Sequence, residues 1–360
     1  MNPWDALFVC GDHSDTEQQL PMRLVRKHGR PLLIVPLANQ VAARCLELFP
    51  AQTAKARLAK HILRLLWKSG LRTKMEPVRL PFDSHTKFSK YIATIAGHST
   101  SNAPAKFGIL LGNPAGDTQR FLVLVFNDGN LPVAVVKAGL TPGARSLVRA
   151  ESEFLSRVSG NVPAIPRLIS KFESSSLDAF STDYCAGDSP RKADPRKISD
   201  LLTSWLNPRE QRSMDQFPEI VAAKQFFGQT KDSAGARMLK TCVQHGDFAP
   251  WNIKVSDQGA WTVLDWERGT FKGVPGWDWF HYEIQTAILV EKCATEELIR
   301  RIKQLIASED FKKYAREAGI DGVEKPMLLA YLRNLVEVIK PAEGLTESQA
   351  LLQALAGHTF

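Results

Sequence analysis

Asp247 and Asn252, five positions apart in His245-Gly246-Asp247-Phe248-Ala249-Pro250-Trp251-Asn252, and Asp265 in Val263-Leu264-Asp265-Trp266-Glu267 are the residues best suited to chemistry in this chain. Two carboxylates and an amide stand at short, fixed separations between apolar segments. A Mg²⁺ ion takes about six oxygens and is usually met by one or two side chains plus substrate phosphates. Asn252 and Asp265 can supply such side-chain oxygens. Asp247 is then left to accept a hydrogen bond from a hydroxyl and take its proton as a phosphoryl group is transferred. The stretch predicts the catalytic centre of a phosphoryl-transfer enzyme. Its rival is a polar turn between two strands.

These residues need elements to hold them. Val243 leads into the loop, and Ile253, Val255, Trp261 and Val263 alternate with polar residues around Asp257-Gln258-Gly259, which predicts a hairpin after it. Asp247 and Asn252 thus share one loop, and Asp265 ends the returning strand. Upstream, Phe107 to Gly112, Phe121 to Phe126 and Pro132 to Lys137 are apolar, β-prone runs separated by turn residues, predicting three antiparallel strands. Period-two alternation sets Val133, Val135 and Lys137 on one face, where Val135 can roof an adenine and Lys137 can reach its phosphates. The segment Ala144 to Val158 has helical spacing and offers Glu151 and Glu153. Pro166 to Ser174 and Ala179 to Tyr184 add two strands, making five, and run into Cys185-Ala186-Gly187-Asp188. Residues 188–197 read as exposed loop, and helices follow at about 198–206 and 216–228. Gly276-Trp277-Asp278-Trp279-Phe280 opens a long apolar helix to about Val290, and residues 295–356 keep helical spacing.

The motif His-Gly-Asp, four residues, Asn, followed by Asp-Trp, resembles the phosphotransferase branch of the protein-kinase-like fold, the aminoglycoside phosphotransferase and choline kinase relatives. The resemblance spans about residues 100–355. It implies an α+β, bilobal protein-kinase-like fold, with a small antiparallel β-sheet lobe and a larger, mostly helical lobe. It implies Asp247 as base, Asn252 and Asp265 as Mg²⁺ ligands, His245 as a structural anchor and ATP as co-substrate. In that family a helix glutamate pairs with the strand lysine. Glu151 fits the pattern Glu, three residues, Leu, two residues, apolar, and Glu153 stays open as the alternative partner of Lys137. The backbone of the connector, here near Asp183 to Cys185, bonds the adenine edge in those proteins. Relatives also carry an aspartate at the Asp278 position that braces the catalytic loop, although a helix cap would need the same residue type. Asp-Trp-Glu stands where protein kinases have Asp-Phe-Gly, pointing to a small-molecule acceptor. The turn Gly112 to Gly116 lacks the three-glycine pattern of protein kinases, so its phosphate contact is the weakest element.

Length and charge bound the rest. A chain of 360 residues with 44% hydrophobic residues can bury a large core, and it divides on sequence into an extension at 1–95, a nucleotide-binding lobe at 96–185 and a catalytic lobe at 186–360. Cys10, Cys45, Cys185, Cys242 and Cys293 show no short paired spacing, which argues for reduced thiols and against a zinc site. The first residues lack a basic segment before an apolar core, and no apolar run approaches the roughly 18 residues of a membrane span, so a cytoplasmic protein is expected.

Residues 1–100 hold 15 Lys and Arg against seven Asp and Glu, an excess of eight that equals the net charge of the whole chain. Much of it lies in a predicted helix within Ala51 to Met75. There Leu58, Ile62, Leu65 and Leu66 form an apolar stripe, and Lys55, Arg57, Lys60, Arg64 and Lys68 decorate the other faces. That pattern fits a packing helix with solvated charges, and also peripheral contact with an acidic surface. Arg23 to Val35 reads as a hairpin ahead of it. A sequence pI near 9.2 raises nucleic-acid binding, but the basic excess sits in one segment without a reading motif. The expected function is ATP-dependent phosphorylation of a hydroxyl on a sugar, amino alcohol or aminoglycoside-like molecule. A nucleotide-binding, catalytically weak regulatory or scaffolding relative acting through the basic extension is the alternative.

Overall fold

In the computed structural model, which describes residues 2–9, 18–49, 51, 53–71, 75–97, 104–112, 116–158, 160–227, 237–337 and 345–356, the chain is α+β and forms two compact units. The first comprises Met1–Ser159, Ile165–Asp188 and Lys254–Thr262, and the second Gly160–Ala164, Ser189–Ile253 and Val263–Phe360.

The first unit is built on an eight-stranded antiparallel sheet. Its elements are β1 (Gln18–Lys27), β2 (Arg30–Pro36), α1 (Asn39–Cys45), α2 (Ala54–Lys68), β3 (Met75–Phe82), α3 (Lys87–Ile95), β4 (Lys106–Leu111), β5 (Arg120–Phe126), β6 (Pro132–Gly139), α4 (Pro142–Val158), β7 (Leu168–Glu173) and β8 (Asp178–Asp183), with strand order β3-β1-β2-β4-β5-β6-β8-β7. The five strands legible upstream of the catalytic loop form one side of the sheet. β1 to β3 extend it, because β2 pairs with β4 through Leu33–Leu110 and Ile34–Ile109. The β1–β2 turn needs two left-handed residues, supplied by His28 and Gly29 at φ 50° and 77°.

Alternating side chains give the sheet two apolar faces, each covered by residues from the first hundred. One packs Ile109, Phe121, Val123 and Val136 with Phe8, Phe88 and Ile92. The other packs Leu110, Leu124 and Phe126 with Val41, Cys45 and Trp67. α1 comes so close that a Cβ at Gly108 would lie 2.3 Å from Cys45 Sγ. Residues of the basic extension therefore cover both faces of the sheet.

Two expectations change here. A register shift at the start of β6 places Val133 against the first face and Val135 against the second, so the two valines do not share a face. Helix α2 forms as expected, capped by the Thr53 side chain on the Ala56 amide, but it is rotated. Leu58, Ile62 and Leu65 are 61%, 46% and 54% exposed, while Trp67 is buried and Leu63 and Leu66 pack inward. Lys60 and Arg64 also turn in, with Lys60 Nζ 3.0 Å from the Phe49 carbonyl and Arg64 2.8 Å from Glu47. Burial of the indole and the oxygen acceptors around these cations outweigh burial of the three aliphatic residues.

The second unit carries α5 (Pro195–Ser204), β9 (Leu206–Ser213), α6 (Pro218–Phe227), β10 (Met238–Gln244), β11 (Ile253–Val255), β12 (Trp261–Val263), β13 (Thr270–Gly273), α7 (Trp277–Gln285), α8 (Thr295–Ala307), α9 (Glu309–Ala318), α10 (Glu324–Glu337) and α11 (Leu345–Ala356), strands β11 and β12 running over its boundary. Strands order as β13-β10-β9, and β11 with β12 forms the expected hairpin. The apolar helix opening at Trp277 stops at Gln285 and widens into a π turn over Thr286–Val290. Among the described residues no helix is long and apolar enough to cross a membrane.

Candidate active site

The loop between β10 and β11 is built from its backbone outward. Gly246 sits at φ 79°, where a Cβ would stand 3.0 Å from the Arg268 side chain, so only glycine fits this bend. Asp278, in the first turn of α7, accepts the His245 amide on Oδ2 at 2.7 Å and the Gly246 amide on Oδ1 at 2.9 Å. The N-cap of α7 is Gly276, so Asp278 braces the loop and does not cap its own helix. Burial pushes the Asp278 carboxyl up, only partly offset by these two amides.

His245 is fully buried and locks the loop to the segment bearing Asp265. Its Nδ1 accepts the Asp247 amide at 3.1 Å, which assigns the ring proton to Nε2, and Nε2 donates to the Leu264 carbonyl at 2.8 Å. The Leu264 amide in turn donates to the Asn252 carbonyl at 2.7 Å. Leu264 is thus held through both its amide and its carbonyl against the loop that carries Asp247 and Asn252. Asp265 follows at φ 70°, a left-handed conformation that a non-glycine residue holds only when its surroundings impose it. Trp266, with no exposed surface, bonds the Val263 carbonyl through Nε1 at 2.7 Å and supplies that constraint.

At the centre, the Asp247 carboxylate is 32% exposed and is held at both oxygens. Asn252 Nδ2 donates to Oδ2 at 2.9 Å and to the Asp247 carbonyl at 2.8 Å, while His281 Nε2 meets Oδ1 at 2.9 Å. Burial raises this carboxyl, but the hydrogen bond from His281 and the positive Arg268 side chain nearby more than offset it and hold it below the usual carboxylate range. Because the amide nitrogen of Asn252 is committed to Asp247, its oxygen is the end left for a cation. Asn252 and Asp265 carry oxygen donors of the kind that could hold Mg²⁺.

Lys137, Glu151, Val135, Asp183 and Cys185 lie in the first unit. Lys137 on β6 forms an ion pair with Glu151 on α4, both buried, and Glu153 is exposed. A buried cation of this kind requires such a partner. Val135, like Tyr184 and Leu122, packs against the cluster that holds Leu110, Leu124 and Phe126. The Asp183 amide bonds the Arg167 carbonyl at 3.1 Å and the Tyr184 amide bonds the Val133 carbonyl at 3.1 Å, so Cys185 is the first connector residue past the ladder. Its thiol is pushed up to about 11 by burial and by Asp183. In the Gly112 to Gly116 turn, residues 113–115 lie outside the described residues.

Among solved structures, this chain is similar to aminoglycoside phosphotransferases and a fructosamine kinase. A thermostable mutant of aminoglycoside phosphotransferase APH(4)-Ia is 14% identical, covering 74% of this chain and 98% of its own at a TM-score of 0.44. A putative fructosamine-3-kinase from Haemophilus somnus 129PT is 15% identical over 74% and 96%, at 0.41. The streptomycin-ATP-APH(2")-IIa ternary complex is 15% identical over 69% and 91%, at 0.43. No protein-family description and no curated protein matches the sequence.

The local motif around Asp247 does not point to His281 or Tyr331. His281 follows Asp278 by three positions, on the same face of α7, and that spacing was its available signal. Tyr331 lies 50 residues further on and carried none.

Proposed function

We propose that the protein is an ATP-dependent phosphotransferase acting on a hydroxyl of a small molecule, such as a sugar, an amino alcohol or an aminoglycoside-like compound. The observation that carries this reading is the setting of Asp247, ionised, partly exposed and oriented by donors on both oxygens. In the proposed reaction Asp247 accepts the proton of the acceptor hydroxyl, the acceptor oxygen bonds to the γ-phosphorus, and the bond to the bridging oxygen of ADP breaks. Lys137, kept in place by Glu151, neutralises the nucleotide phosphates. Val135 roofs the adenine, and the Asp183–Cys185 main chain bonds its edge, with Cys185 the first residue past the ladder. Asn252 and Asp265 would hold Mg²⁺, which when bound supplies positive charge to the phosphate oxygens.

Residues from 296 onward hold ten acids against nine bases, so that region gives no strong negative field for a polycation. This favours a neutral or weakly charged hydroxylated acceptor. The test is transfer of label from ATP to a panel of sugars, amino alcohols and aminoglycosides, repeated with Asp247→Asn. Loss of the base should lower kcat about 10²–10⁴-fold while nucleotide affinity stays within about twofold. Near-full transfer by Asp247→Asn would remove Asp247 from the role of base.

A further inference from the structure

The Asp247 carboxylate ends a buried chain of groups that runs through α7 into α10. His281 Nε2 stands 2.9 Å from Asp247 Oδ1, and His281 Nδ1 stands 3.0 Å from the Tyr331 hydroxyl. His281 is 4% exposed and Tyr331 3%. Both line a cavity of about 230 Å³ together with Gly246, Arg268 and Asp278.

We infer that His281 is a positioning residue for Asp247 and that Tyr331 sets its tautomer. This rests on the reading of Asp247 as the base. A neutral imidazole has one donor nitrogen and one acceptor nitrogen, and an ionised carboxylate only accepts. Nε2 must therefore carry the proton, and Nδ1 must find a donor. The Tyr331 hydroxyl, able to rotate, is that donor. With Nδ1–H in its place, a nitrogen lone pair would face the carboxylate.

The need for such a device follows from the carboxylate itself. The last torsion of an aspartate is broad and roughly two-fold, so a single donor leaves the group free to swing. Asn252 holds Oδ2 and the main-chain carbonyl, and His281 holds Oδ1. Each oxygen keeps a second lone pair, and with both first lone pairs occupied the remaining ones point in fixed directions. An acceptor hydroxyl then meets the base in one orientation. Misplacement by about 1 Å can cost about 10²-fold in rate without touching substrate affinity.

The experiment compares His281→Leu, His281→Gln and Tyr331→Phe for kcat, for KM of Mg²⁺-ATP and of the best acceptor from the panel, and for thermal unfolding. His281→Leu should lower kcat about 10²-fold with KM for Mg²⁺-ATP unchanged. His281→Gln, whose amide can donate to Oδ1, should recover most of that loss, and Tyr331→Phe should fall between the two. A role in packing alone would lower the unfolding temperature in step with activity and would show no recovery with Gln. Ring ¹⁵N spectra give a readout independent of turnover. His281 should be the Nε2–H form in the wild type and a tautomer mixture in Tyr331→Phe. If the wild type transfers phosphate, Asp247→Asn does not, and His281→Leu is folded and fully active, this inference falls while the phosphotransferase reading stands. An Nδ1–H ring in the wild type would also overturn it. If the wild type transfers nothing to any acceptor, the reading of the base fails, and the spectra still decide the tautomer.

Discussion

Asp265 combines a functional and a conformational demand, and the two can be separated by choice of substitution. Its left-handed backbone is tolerated by Asn far better than by Ala, because the short polar side chain bonds locally. Asp265→Ala should therefore lose about 1 kcal/mol of stability relative to Asp265→Asn in urea unfolding. If Asp265 is a metal ligand, both variants should lose most of the rise in unfolding temperature that Mg²⁺-ATP gives the wild type, since a ligand stabilises only the state that binds it. A variant that keeps the full rise removes Asp265 from the metal site. Asp247 adds a pH expectation. Its carboxyl is held below the ordinary carboxylate value, so it stays ionised as pH falls through that value and is lost as a base only below it. A fall in kcat/KM between pH 7 and 5 would then belong to another group.

At the scale of elements, α2 is where sequence and structure diverge most. Its apolar positions 58, 62 and 65 repeat at helical spacing, and read alone they define the inward face. The structure turns them out because the helix packs by Trp67, Leu63 and Leu66, and because Lys60 and Arg64 find Phe49, Glu47 and Asp188 on the inner side. Ile62→Lys should therefore change stability by no more than about 0.5 kcal/mol, as for other exposed positions, whereas Trp67→Ala should cost about 3–5 kcal/mol. The opposite order in urea midpoints would restore the orientation expected from sequence. Lys60 supplies a pH test of the same packing. Burial, with Lys254 nearby, lowers it from 10.5 to about 8, so between those values the unfolded chain binds the proton more tightly. Wild-type stability relative to Lys60→Met should rise from pH 8 to 10, and a difference that stays flat with pH would place Lys60 in water.

Strands from 106 to 183 and helix α4 could be read because each is a regular apolar run bounded by Gly, Asn and Pro. The loop carrying Asp247 and Asn252 could be read because its chemistry is local in sequence. β9 could not, since Leu-Asn-Pro-Arg-Glu-Gln-Arg-Ser is a polar edge strand without alternation. Nor could the bulge that separates Val133 from Val135, or the Asp247–His281–Tyr331 chain, whose members meet only through the packing of α7 and α10.

For the molecule as a whole, the consequential question is whether residues 1–95 are an addition to a self-sufficient sheet or part of its core. Phe107, Ile109, Phe121, Val123 and Val125 pack against Trp4, Phe8, Ile34, Phe82, Phe88 and Ile92, and Leu110, Leu124 and Phe126 against Val41, Cys45 and Trp67. Removing residues 1–95 would uncover both faces and leave β4 an open apolar edge where it pairs with β2. Each large apolar side chain contributes about 1.5–3 kcal/mol on burial, and a whole domain is stable by only about 5–15 kcal/mol. Losing the nine partners named, about 14–27 kcal/mol in all, matches or exceeds that margin. A chain of residues 96–360 should therefore aggregate on expression, and any soluble fraction should bind the apolar dye ANS and show no stabilisation by Mg²⁺-ATP. A monomeric 96–360 product with a cooperative melt and nucleotide-dependent stabilisation would show instead that the five strands from β4 to β8 close a core without the three that precede them.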